Sequence, residues 1–166
     1  MNCNETFHLL MWLHRLSESN LPSIAKTIES MYGVNARAEL TSALTRVVLD
    51  ATILPTRAPP RVITDVALLL AVLHCRIGHE VTAKFLHQLI DTYQRLSANA
   101  GISEVGKQTD NALLLLAQLY NFKVCYWAQK QGLLFGMRHL QYYTIFSVRW
   151  ETDVVCCKLA VDSHIS

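Results

Sequence analysis

Chain breakers cut the first 124 residues into six segments, each of helical length, and in most of them the apolar residues recur at three- and four-residue steps. A chain punctuated in this way has few options besides packed helices. The second segment is the clearest: Leu21, Ile24, Ala25, Ile28, Met31 and Tyr32 form one stripe, with Asn20 as a candidate cap, Pro22 in the first turn and Gly33 after the end. It should bury that stripe and leave Lys26 and Glu29 in water. The third, from about Ala36 to Leu54, sets Leu40, Leu44, Val47, Ala51 and Leu54 on one face and is stopped by Pro55, Pro59 and Pro60, which cannot continue a helix.

The fourth segment, Arg61 to Ile77, is apolar nearly all round from Val66 to Leu73, the pattern of a helix covered on more than one side and hence the expected centre of the core. Gly78 separates it from a fifth whose stripe is Val81, Phe85, Leu86, Leu89, Tyr93 and Leu96, so the two should be tightly joined and antiparallel. After a looser loop, Ser97 to Lys107, the sixth should run from a Thr109 or Asp110 cap through Leu113, Leu114, Leu116, Ala117 and Tyr120. Helix pairs on short turns, with no alternating strand pattern before residue 124, predict an all-α stack of three antiparallel hairpins of the solenoid kind.

Residues 125–166 follow a different grammar. They hold seven of the fourteen aromatics and three of the five cysteines, and Tyr143 to Trp150 reads as loosely strand-like. The expectation is an atypical, poorly packed tail. With 17% charged residues and half of the chain hydrophobic, intrinsic disorder of the whole is excluded. A net charge of +2 makes nonspecific binding to polyanions a poor explanation of the chain. The longest apolar run, Val66 to Leu73, is far short of the roughly 20 residues a membrane-spanning helix needs. The first twenty residues make a poor secretory signal, so the cysteines are expected to be reduced thiols of an intracellular protein.

Chemistry is hard to find. The string from Gly101 to Gly106-Lys107-Gln108-Thr109 has the glycine and lysine spacing of a phosphate-binding loop, but Gln108 stands where the magnesium-binding hydroxyl belongs and no buried strand precedes it. A plain connecting loop is the better reading, with a nucleotide-binding enzyme as the alternative. His74, Cys75, His79 and His87 form the one metal-ligand cluster, short of three convincing ligands, and a helix C-terminus would favour a partly protonated histidine there. Cys156 and Cys157 have only Lys158 beside them to lower a thiol pKa. No catalytic residue, cofactor or metal is expected. What remains is surface: Arg57 and Arg61 around Pro59-Pro60, then Arg76, Lys84, Lys107 and Lys123 near helix ends, either a solvated face or an edge that meets RNA or an acidic partner.

Particular strings also carry a family likeness. Leu13-His14-Arg15-Leu16-Ser17-Glu18-Ser19-Asn20 resembles the entry of the middle domain of eukaryotic initiation factor 4G, with His14 where that family usually has Asn. Leu40-Thr41-Ser42-Ala43-Leu44, Leu73-His74, Gly78-His79-Glu80-Val81, Phe85-Leu86, Gly106-Lys107-Gln108-Thr109-Asp110-Asn111 and Leu119-Tyr120-Asn121-Phe122 follow in order, and look like the nucleolar branch that joins this domain to an MA3 domain. The resemblance covers about residues 13–124. It implies a HEAT-like scaffold without an active site, a nucleolar address, a part in small-subunit ribosomal RNA processing, and docking of a DEAD-box RNA helicase of the initiation factor 4A type, with RNA contact. Arg15 joins the candidate partner-binding residues on this ground. After Lys123-Val124 the family would continue into further helices, and this chain does not. Such a break is what intron read-through, a frameshift or a mispredicted gene model would produce, so a non-functional truncated product stands as a further alternative.

Overall fold

A computed structural model describes residues 3–98 and 103–124, with side chains from 7–98 and 106–124. The expectations for 125–166, including the strand-like Tyr143 to Trp150 and the Cys156-Cys157 pair, lie outside the described residues, as does the Gly101 end of the glycine-lysine string. Six helices follow in order: α1 (Cys3–His14), α2 (Leu21–Val34), α3 (Arg37–Thr52), α4 (Pro60–Ile77), α5 (His79–Ala98) and α6 (Ser103–Asn121), with no strand among the described residues. Helix α3 packs on α1 and α5, and α4 packs on α2 and α6, so odd and even helices make two layers. Short turns between consecutive helices and contact between alternate ones are the marks of a helical stack.

The apolar run in α4 ends up as the sequence requires. Every residue from Val66 to Leu73 is buried, because α4 also meets α5 and α3 and has no side left for water. Each leucine removed from water in this run contributes roughly 1.5–3 kcal/mol, which makes α4 the element the others are built around. Helix α2 buries Leu21, Ile24, Ala25, Ile28 and Tyr32 as expected. It ends two residues later than its glycine suggests, with Gly33 inside the last turn and Asn35 N–H closing on the Met31 carbonyl.

Several details correct the sequence reading. Asn20 precedes α2 but makes no side-chain cap. Its Oδ1 instead accepts from the Ser17 N–H at 2.8 Å, and its Nδ2 donates to the Arg15 carbonyl at 2.6 Å, so it ties the α1–α2 turn while His14 points to solvent. Glu29 is not simply in water, since it pairs with Arg76 Nε across α2 and α4 at 3.4 Å. In α3 the inward face is Leu40, Leu44, Val47 and Val48 with a fully buried Thr52, whereas Leu54 falls beyond the helix and is 37% exposed. Thr52 can be buried because its hydroxyl donates to the Val48 carbonyl at 2.7 Å.

The largest correction concerns α6, which starts at Ser103, well before the expected Thr109 or Asp110. The end of the expected Ser97–Lys107 loop is thus helical, Gly106 included; a lone glycine inside a helix costs only about 1 kcal/mol relative to alanine, and tertiary packing outweighs that. The buried stripe of α6 is also rotated. It consists of Ala112, Leu115, Leu116 and Leu119 with Asn111, while Leu113, Leu114 and Ala117 are half-buried and Tyr120 is 42% exposed.

Candidate interaction edge

The α3–α4 connection cannot hold itself together. Pro55, Pro59 and Pro60 bring no N–H groups to it, and the carbonyls of Leu54 and Thr56 find no backbone donor within the loop. Asn111 supplies what is missing from α6. Its Oδ1 accepts the Ala58 N–H at 3.0 Å, and its Nδ2 donates to the Thr56 carbonyl at 2.8 Å and the Leu54 carbonyl at 3.2 Å. Asn111 is 1% exposed, and Ala58 is buried beside it. An amide inside the protein is tolerated there because both its ends are satisfied. Sequence reasoning missed Asn111 because a polar residue beside Asp110 reads as solvated; the cue was its place four and eight residues before Leu115 and Leu119, on the face those leucines bury.

Pinned in this way, the loop presents Arg57 to solvent, and Arg61 follows in the first turn of α4 with its side chain 80% exposed. Arg61 Nε lies 3.8 Å from Asp65, whose side chain is only 14% exposed, and the water around Arg61 keeps the pair weak. Burial raises the Asp65 carboxyl above the usual range, Arg61 pulls it down and Glu18 pushes it up. The influence of Glu18 places the α1–α2 turn, and with it exposed Arg15, at the same end of the stack. Lys107, one turn before Asn111, is exposed in α6. One edge therefore gathers Arg15, Arg57, Arg61 and Lys107 near the α1–α2 turn, the α3–α4 loop and the start of α6.

The other three candidates belong to the opposite half of the stack. Arg76 is mostly covered and paired with Glu29, and Lys84 donates to Ser42 Oγ at 2.6 Å, joining α5 to α3. Lys123 is exposed just past α6, where φ of 61° turns the chain and its N–H meets the Tyr120 carbonyl at 2.9 Å. Between α3 and α5 an open groove of about 590 Å³ is lined by Leu49, Gln88, Asp91, Thr92, Gln94 and Arg95.

The histidine cluster does not assemble: among the described residues no three His, Cys, Asp or Glu side chains could hold a metal ion. His87 is exposed, as is Cys75, and His74 is engaged elsewhere. Its Nδ1 lies 2.6 Å from Thr82 Oγ1, whose hydroxyl also reaches the His79 carbonyl at 3.1 Å. With the Thr82 proton on that carbonyl, the imidazole donates from Nδ1. Burial, and then the charge of His79, hold the His74 pKa below its ordinary value, overriding the helix C-terminus that was expected to favour the charged form. The unfolded chain then binds more protons than the folded one as pH falls through about 6.5. This part of the stability is complete above that pH and is lost progressively below it. Melting curves from about pH 7.5 down to about 5.5 should show a larger fall in Tm for the wild type than for His74→Gln; equal falls would remove His74 from the account.

Comparison with known proteins extends the picture. Over 113 residues the chain is 36% identical to the nucleolar MIF4G domain-containing protein 1 homolog of Drosophila melanogaster, an alignment covering 68% of this chain and 13% of that protein. It is 32% identical over 117 residues to the nucleolar MIF4G domain-containing protein 1 of Homo sapiens, covering 70% of this chain and 13% of that protein. Suppressor of glycerol defect protein 1 of Schizosaccharomyces pombe is 27% identical over 114 residues, 68% of this chain and 15% of that protein. The chain thus spans only a small part of the relatives it matches. No family model matches it, and no solved structure gives a significant match.

Proposed function

The helical part of this chain belongs to the family of nucleolar MIF4G-domain proteins, and on that premise we propose that it is a non-catalytic scaffold acting in the nucleolus in small-subunit pre-rRNA processing, through a DEAD-box RNA helicase of the initiation factor 4A type and RNA. The observation that carries this reading is the two-layer stack itself, in which loops and helix ends bring Arg15, Arg57, Arg61 and Lys107 to one edge. An edge built from several elements can meet a partner only when the stack is folded, which is how a scaffold confers recognition.

The nucleotide-binding alternative loses its main support. Lys107 lies within α6 and not in a loop, so the residues before it from Ser103 are committed to a helix. Two measurements decide. Titration of the chain against such a helicase, with and without single-stranded RNA, should give saturable association; no association with either would sink the reading. ATP binding should be absent in wild type and Lys107→Ala alike, whereas binding abolished by Lys107→Ala would favour the enzyme.

A further inference from the structure

We infer that Asn111 is the positioning residue of the interaction edge, and that the surface it sets recognises a protein carrying carboxylates beside apolar side chains. This rests on the scaffold reading above and deepens it. Ile53 N–H and the Pro59 carbonyl bond back into α3 and α4, but from Leu54 to Ala58 the loop has no backbone bonds to choose one conformation, and the groups that would otherwise be left unpaired, Leu54 O, Thr56 O and Ala58 N, all converge on one buried amide. A loop so held is preorganised, and preorganisation lowers the ordering cost of binding.

The chemistry of the edge points to a protein. Leu54 and Val62 remain 37% and 40% exposed. Arg57 and Arg61 lie between them in the chain, and both are exposed. Exposed apolar side chains beside guanidinium groups match a protein surface that offers apolar side chains together with carboxylates, whereas a phosphate backbone would leave the apolar ones uncovered. Because Asn111 sits one turn after Lys107 on α6, a partner that touches the start of α6 and the loop together engages one coupled unit.

Three variants of the full chain test this against the helicase and against a single-stranded RNA oligomer. Asn111→Ala should weaken helicase binding by about tenfold and speed hydrogen exchange at the Ala58 amide by about a hundredfold, with the Leu69 and Leu70 amides unchanged. Arg57→Glu and Leu54→Asp, both on the surface, should weaken helicase binding comparably without altering exchange, and they decide the matter if Asn111→Ala does not fold. Wild-type affinity in Asn111→Ala despite fast exchange at Ala58 overturns the positioning role while leaving the scaffold reading standing. Wild-type affinity in both surface variants overturns the assigned surface, and a loss confined to RNA overturns the protein partner. A wild-type chain that binds neither ligand overturns the scaffold reading, and this inference with it.

Discussion

Replacing Leu69 by alanine is expected to destabilise the protein by about 3 kcal/mol, because Leu69 is completely buried in α4 where the two layers meet. Loss of the side chain removes apolar contact and leaves a cavity, and neighbours held by α2, α5 and α6 cannot collapse into it freely. With a total stability of about 5–15 kcal/mol for a domain of this kind, that is a large fraction. Urea titration should show a lower midpoint with an unchanged slope, since the folded and unfolded surfaces differ little from the wild type. Val34→Ala, at a position 88% exposed, should leave the midpoint in place. A Leu69→Ala loss no greater than that of Val34→Ala would mean that α4 is not the centre of the core.

Gly78→Ala should cost about 1–3 kcal/mol, and for a reason unrelated to packing. Gly78 joins α4 to α5 with φ of 122° and ψ of 168°, a backbone conformation that residues with a Cβ scarcely adopt. Space is not the issue, since a Cβ built there would meet nothing within 4 Å. The same substitution at Gly33, also with nothing within 4 Å but inside α2, should stabilise by about 0.5 kcal/mol. The pair gives opposite signs for one chemical change, and thermal or urea melts of the two variants check it. A Gly78→Ala variant as stable as the wild type would show that the α4–α5 corner can relax to another turn.

The candidate edge was partly legible. Arg57, Arg61 and Lys107 could be picked out as basic residues beside helix ends, and Arg15 by family likeness. Their grouping could not be read, nor could the separation of Arg76 and Lys84, whose charges serve contacts between α2 and α4 and between α3 and α5. Such pairings join residues more than 40 positions apart, and periodicity within one helix carries no information about them.

Helix α6 shows the boundary most sharply. The run Leu113-Leu114-Leu115-Leu116 offers apolar residues on every side, so two stripes one step apart are almost equally apolar. The expected stripe is Leu113, Leu114, Leu116, Ala117 and Tyr120. The fold took the one containing Asn111, because an unpaired loop in another layer needed its amide.

What the sequence by itself determined was the number of helices, their order, the buried centre at Val66–Leu73 and the glycine corner at Gly78. All of these follow from local rules, in which proline and glycine break helices and apolar periodicity marks the face that must leave water. Only the tertiary structure decided the rotation of α6, the length of its first turns, the neutral state favoured at His74 and the conformation of the α3–α4 loop. Each of those depends on where a donor, an acceptor or a low-dielectric surface arrives from another helix, and that is settled by packing.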